Sequence, residues 1–316
     1  MLVIKRREKT QAVRAGGKGL LRRAVSYWDM YLLLVPAIFL TIVFSYIPMY
    51  GVQIAFKDFS ANKGIWGSDW VGLEHFIRFL NYPNFWKYLG NTLRISLYGI
   101  ATFPLPIIFA LLINELNNIK FKKTVQMLSY APHFISEVVL CGMVLLFLDR
   151  NSGVINHVLE ALGFARHEFI AEAKNFSTIY VWSGVWQSLG WSSILYISAL
   201  SSVSTELLEA ARIDGATRMG ILTRINLPLI MPTVGIMLIL SCGNILSVGY
   251  TKILLLQNSL NLDASQVLSS YTYEVGLRGG QFAYSSAIGL FNNVCNIILL
   301  LIVNTLSKKF SQISLF

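Results

Sequence analysis

Six apolar runs constrain this chain more than any other feature. They lie near Tyr31–Tyr50, Leu93–Leu116, Val125–Leu148, Thr178–Leu200, Leu229–Leu254 and Tyr284–Leu306. Each is long enough to cross a hydrocarbon core of about 30 Å. Lipid offers no partner to a free backbone N–H or C=O, so each run must satisfy its own groups and is predicted to be a helix. The expected fold is therefore all-α: a polytopic integral membrane protein with six transmembrane helices. Composition agrees, since 54% of the 316 residues are hydrophobic and 13% charged, where soluble domains carry about 25% charged residues. Pro36, Pro104, Pro106 and Pro232 mark expected kinks inside or beside the runs.

Charge sets the expected orientation. Eight Lys/Arg fall between Lys5 and Arg23, ahead of any apolar run. Beside a membrane span such a cluster obeys the positive-inside rule and touches anionic lipid, which is simpler than a nucleic-acid-binding arm. With the N-terminus inside, 16 of the 26 Lys/Arg fall on the cytoplasmic side and 10 on the outer side, although the outer segments are longer. Both termini are then cytoplasmic. The expected organisation is a basic tail (1–30), a first span with an outer loop (31–90), a core (91–306) and a short C-terminal tail (307–316). The first run lacks a small-x-small cleavage site and reads as an uncleaved anchor. Cys141, Cys242 and Cys295 sit singly in apolar runs, and the four histidines form no ligand spacing, so no metal site is expected.

Between the fourth and fifth runs lies a polar segment, 205–228, reading TELLEAARIDGATRMGILTRINLP. Thr205 is placed to cap a helix whose first turn carries Glu206 and Glu209, where the helix dipole favours negative charge. Asp214-Gly215 breaks that helix, glycine supplying a left-handed residue and Asp214 a cap for a second short helix. Pro228 stands where the fifth run begins. The expectation is two short helices at an angle, presenting Ala210, Ala211 and Gly215 where another backbone comes close. Two outer segments add amphipathic helices. One places Leu73, Phe76, Ile77 and Leu80 on one face, and the other places Ile155, Val158, Leu159 and Leu162 on a stripe.

Glu209-Ala210-Ala211, three residues, Gly215, nine residues, then Ile225-x-Leu227-Pro228 resembles the EAA loop of permease subunits of type I ABC importers. IPMYGVQIAFKDF (Ile47–Phe59), FWKYLGNTLRISLYG (Phe85–Gly99) and SYTYEVGLRGGQFAYSSAIGLF (Ser270–Phe291) are similar to the oligo- and polysaccharide permeases of the carbohydrate-uptake family, and among them to permeases of alginate importers. Glu274 stands where that pattern suggests a basic residue. The resemblance implies a type I importer permease fold and ATPase coupling through Glu209, Ala210, Ala211, Asp214, Gly215, Ile225, Leu227 and Pro228. It also implies partners: a second, related permease, two cytoplasmic ABC ATPase subunits and an extracytoplasmic solute-binding protein, in a bacterial inner membrane.

No nucleotide site is legible. Gly16-Gly17-Lys18-Gly19 lacks the upstream glycine, the hydroxyl residue and the preceding strand of a P-loop. The chain is expected to hold no cofactor and catalyse no covalent chemistry, ATP and Mg being bound by the partner ATPase. Polar residues inside spans face a bundle interior or a water-filled path by default, which makes Glu137, Trp182, Trp186, Gln187, Asn244 and Asn293 candidates to line a sugar path. Helix packing and hydrogen bonding are the competing role for each. Glu137, an acid deep in a run, raises an ion-coupled secondary transporter as the alternative class. The outer segments hold 10 Lys/Arg against 9 Asp/Glu, so charge alone does not select an acidic glycan.

Overall fold

A computed structural model describes residues 27–311. The basic run from Lys5 to Arg23 and residues 312–316 of the C-terminal tail lie outside them. The chain divides into two compact units, Met1–Gln53 and Ile54–Phe316. In the first, helix α1 (Trp28–Thr41) contains Pro36 and passes into a π turn at Ile42–Tyr46. The helical run Met30–Phe56 has 27 residues, about 40 Å at 1.5 Å per residue, enough to cross a bilayer with some tilt.

The second unit begins with a two-stranded antiparallel ribbon, β1 (Lys57–Asp58) and β2 (Asp69–Trp70), Lys57 standing opposite Trp70. Lys57 is buried there, its ammonium donating to the Ile65 carbonyl at 2.7 Å and lying 4.9 Å from the Trp70 ring centre. Helix α2 (Glu74–Leu80) follows, then α3 (Phe85–Ala101) and α4 (Pro104–Asn114), which form one span. Next come α5 (Ile119–Tyr130), α6 (Glu137–Leu148), α7 (Val154–Ala161), α8 (Phe176–Ser201) and α9 (Thr205–Ile213). The continuous helix α10 (Arg218–Gly243), α11 (Tyr250–Leu256), α12 (Leu268–Tyr273) and α13 (Phe282–Ser311) complete the unit. Among the described residues, four helices are long and apolar enough to span a membrane, and counting each of two bent pairs as one span raises the number to six.

Two runs depart from the single helices expected of them. The third bends by 99° between Phe134 and Glu137. Pro132 has no N–H to continue the ladder, Ile135 and Ser136 are extended, and the Ser136 hydroxyl accepts from the Val139 N–H at 3.3 Å to start α6 afresh. The fifth run ends as a helix at Gly243 and resumes only at Tyr250. Asn296 of α13 holds that break, accepting from the Leu246 N–H at 3.1 Å and donating to the Ser247 hydroxyl at 2.8 Å. Freed backbone groups inside the membrane are thereby repaired by side chains.

Helix α8 is the centre of the packing. Ile107, Ala110 and Leu111 of α4, Tyr196 and Leu200 of α8, and Ile230 and Val234 of α10 form one core. A second core joins Ile95, Cys141, Phe176, Val181 and Ile253 across α3, α6, α8 and α11. The α8–α5 contact is close enough that a Cβ on Gly190 would overlap the Ser129 backbone, a small-residue contact of the kind that packs membrane helices.

Both segments expected to be amphipathic form helices, and most of each apolar stripe is exposed and not packed in the core. In α2 the buried residue is Phe79, while Leu73, Ile77 and Leu80 are exposed. Phe79 joins an aromatic cluster with Phe85, Tyr284 and Phe291 at centroid distances of 5.0–6.5 Å, and Arg78 lies 4.3 Å from the Tyr284 ring. These contacts outweigh three peripheral aliphatics. In α7 the buried residue is Asn156, and Ile155, Val158 and Leu162 are exposed. The Asn156 amide donates to the Asp149 and His167 carbonyls at 3.0 and 3.1 Å and accepts from the His167 N–H at 2.8 Å. Four hydrogen-bonding groups of the loop need that amide, so the helix turns its polar side inward.

Candidate functional site: a coupling turn and a membrane cavity

The segment between α8 and α10 is built around one turn. Helix α9 ends in a Schellman motif: the Gly215 N–H donates to the Arg212 carbonyl at 3.1 Å and the Ala216 N–H to the Ala211 carbonyl at 2.9 Å. Gly215 has φ +79, and a Cβ built there meets nothing within 4 Å. Within the chain, glycine is therefore required by conformation and not by crowding. Ser204, not Thr205, occupies the N-cap position of α9, and its side chain makes no capping bond. Asp214 closes α9 as its C-cap and does not cap the next helix. Thr217 does, accepting from the Gly220 N–H at 3.1 Å.

The second helix is not short. It runs without interruption from Arg218 to Gly243 as α10, so Ile225, Leu227 and Pro228 lie inside the same helix as the fifth span. A π turn at Leu222–Asn226 precedes Pro228 and widens the ladder where proline supplies no N–H. The turn into the fifth span is thus at Asp214–Thr217, and a separate bend of 73° between α8 and α9 lies at Ser202–Ser204. Glu209, Ala210, Asp214 and Gly215 are exposed, and Ala211, Ile225 and Leu227 are half-buried. Ile213, at 86% exposure, and Met219, at 67%, flank the turn as an apolar pair on an otherwise polar surface.

The membrane candidates fall into two groups. Trp182 donates to the Tyr98 hydroxyl at 2.8 Å and Gln187 to the Ile135 carbonyl at 2.7 Å, so both tie α8 to neighbouring helices. Trp186 is half-exposed on the same helix, and Glu137 stands exposed in the first turn of α6. Asn244 donates back to the Leu240 carbonyl at 3.0 Å and borders a cavity of about 660 Å³ between α3, α4, α8 and α10.

Asn293 is placed differently. With Asn292 it lines a cavity of about 450 Å³ between the break after α10, α12 and α13. Tyr250 and Tyr273, which sequence reasoning passed over, border the same space with rings stacked at 5.0 Å and 18°. The Arg278 guanidinium lies 5.7 Å from the Tyr273 ring centre. The Asn292 Oδ1 is buried without a partner. The signal available in the sequence was the pair of tyrosines flanking two helix breaks, at Gly249 and at the π turn Glu274–Arg278. Glu274 itself accepts from the Gln266 amide at 2.7 Å, a structural bond. Stacked aromatic faces beside amides and a cation match the alternating apolar faces and hydroxyls of a sugar ring.

Comparison with known proteins agrees with this architecture. Residues 84–312 match the family model described as binding-protein-dependent transport system inner membrane component. The chain is 38% identical over 296 residues to the polygalacturonan/rhamnogalacturonan transport system permease protein YteP of Bacillus subtilis (strain 168), covering 93% of this chain and 92% of that protein. It is equally 38% identical over 313 residues to protein LplB of the same organism, covering 98% of each. Among solved structures, it superposes with a TM-score of 0.83 at 36% identity on a chain of a bacterial ABC transporter involved in the import of the acidic polysaccharide alginate, covering 92% of this chain and 99% of that one. A chain of a bacterial alginate ABC transporter in complex with an alginate pentasaccharide-bound periplasmic protein gives a TM-score of 0.84 at 35% identity, with 94% and 99% covered. The chain therefore belongs to the binding-protein-dependent inner membrane components, the permease subunits of ABC importers.

Proposed function

We propose that this permease moves an acidic oligo- or polysaccharide, alginate or a similar uronate polymer, from a solute-binding protein into the cytoplasm by alternating access. The observation that carries the reading is the cavity bordered by Tyr250, Tyr273, Asn292 and Asn293 with Arg278 beside it. Aromatic faces and amides suit sugar rings, and a guanidinium suits a carboxylate. The names of the relatives support the acidic class, since polygalacturonan and alginate are both polyuronates. The working unit pairs this chain with a second, related permease on two cytoplasmic ATPase subunits that bind ATP and Mg. The turn at Asp214–Thr217 faces the cytoplasm with both termini, and Glu209 pairs there with a cation of the ATPase groove. A buried pair of that kind is costly to break from one side.

The test is uptake in proteoliposomes holding the full complex, with galacturonate or mannuronate oligomers compared with neutral malto-oligosaccharides. Uptake of the acidic oligomers should need ATP and added ATPase subunits. Tyr273→Ala and Arg278→Gln should raise KM for them. Uptake driven by an ion gradient alone would overturn the importer reading for this chain. Equal uptake of neutral glucans, unaffected by Arg278→Gln, would overturn the acidic substrate.

A further inference from the structure

A second polar cavity, of about 510 Å³, lies behind the coupling turn. Its wall joins three parts of the fold: Asn114, Glu115 and Asn117 at the end of α4, Arg212 on α9, and Arg218 and Asn226 on α10. Among the described residues, neither Arg212 nor Arg218 has a carboxylate within 4.0 Å. Two exposed arginines thus line one space whose wall holds a single acid, Glu115, which pairs with neither of them. Asn226 is 2% exposed, and its Oδ1 has no hydrogen-bond partner. A buried amide oxygen left in that state is destabilising until a donor, a hydroxyl of a ligand or water, completes it. The space also receives the N-terminus of the 26-residue helix α10, whose dipole favours negative charge. An anionic group answers the guanidinium groups and the helix end, and a hydroxyl on the same molecule would donate to the Asn226 Oδ1. Glu115 and the asparagines add hydrogen-bonding partners that suit hydroxyl groups on the same molecule.

We propose that this cavity binds a small hydroxylated anion, a carboxylated sugar or a sugar phosphate, and that the ligand ties the coupling turn to the end of α4. Arg212 and Arg218 hold the anionic group from the two sides of the Schellman turn, while Asn114, Asn117 and Glu115 take the hydroxyls. Seated there, the ligand opposes opening of the turn that α9 and α10 share. A carboxylated sugar would make the site a sensor of imported product, which rests on the functional reading above. Binding itself does not rest on that reading, and it is measured without transport.

The experiment uses the full chain in lipid nanodiscs and titrates galacturonate, glucose 6-phosphate and neutral galactose by calorimetry. At least one of the two anions should bind saturably, galactose should bind at least about tenfold more weakly, and Arg212→Gln with Arg218→Gln should weaken the anion by at least about tenfold. Arg224→Gln, a cation on α10 that does not line the cavity, should leave affinity unchanged. Hydrogen exchange at 114–117 and 216–221 should slow when the anion is bound. Which anion binds identifies its source. The proposal is overturned if no anion saturates below ~10 mM, if galactose binds as well, if the double variant keeps full affinity, or if Arg224→Gln loses as much.

Discussion

Replacing Gly215 separates two explanations of why glycine stands in the coupling turn. With φ +79 and open space around a Cβ, the chain itself charges a side chain only for its backbone conformation. That cost is about 1–2 kcal/mol for alanine in the left-handed region, and more for a β-branched residue. The free energy falls on the Schellman bonds, so opening of the Ala216 N–H, bonded to Ala211 at 2.9 Å, should become about 5–30 times more frequent in Gly215→Ala. Asparagine tolerates the left-handed region, so Gly215→Asn should recover most of the protection and Gly215→Val should lose the most. Amide exchange at Ala216 reads the turn directly, and substrate-stimulated ATP hydrolysis in the assembled transporter reads its consequence. If conformation is what matters, the two readouts rank alike: glycine, asparagine, alanine, valine. If Gly215→Asn keeps its exchange protection yet uncouples as fully as Gly215→Val, the requirement is close approach of a partner backbone, and the conformational argument fails.

Other perturbations follow from specific contacts. Gly190→Leu should force α8 away from Ser129, an overpacking cost of about 1–3 kcal/mol, visible as a lower Tm in detergent, whereas Gly99→Leu, where a Cβ meets nothing, should leave Tm nearly unchanged. Asn156→Leu should orphan the His167 N–H and the Asp149 and His167 carbonyls, each worth about 1–3 kcal/mol when buried, and protease sensitivity of 149–176 should rise. In that segment Arg166 holds the Glu160 carboxyl below its ordinary value, Lys174 does the same for Glu172, and N–H and hydroxyl donors of Ser152 and Asn151 do so for Asp149. A lowered folded-state pKa adds stability that is present above the unfolded carboxylate value and is lost as pH falls through the folded one. Amide exchange of 149–176 should therefore stay slow at neutral pH and accelerate only below the ordinary carboxylate range. Acceleration already near pH 6 would contradict those pairings. Glu209→Lys should leave the protein inserted but detach ATP hydrolysis from uptake, and unchanged transport would speak against the coupling role of α9.

Most of the spans were legible because the bilayer imposes a length and composition that few soluble helices meet. The end of α9 was legible because an Asp-Gly stop has a local physical meaning, whereas Ser204 and Thr217 at the N-caps and the single helix running through Pro228 were not. The breaks at Ile135–Ser136 and after Gly243 were hidden, since hydropathy averages over the very residues that interrupt a helix. Pro132 was the local sign of the first break, and Asn296, fifty residues from its partner Leu246, could announce the second only in three dimensions. The residues that α2 and α7 bury were hidden for a related reason. Periodicity finds an apolar stripe, but Phe79 and Asn156 are chosen by distant rings and loop carbonyls. Trp182 and Gln187, read as candidates for the path or for helix packing, hydrogen-bond to Tyr98 and Ile135. The cavity at Tyr250 and Tyr273 escaped notice because its walls come from three segments that meet only in the fold.

The unbroken course of α10 has a mechanical meaning. Its 26 residues make a lever of about 39 Å, at 1.5 Å per residue. One end is the turn where a motor would push; the other is the unravelled stretch that borders the tyrosine cavity. A tilt of roughly 10° at the first would swing the second by ~7 Å, about the width of a sugar ring, less whatever the π turn at Leu222–Asn226 and Pro232 absorb.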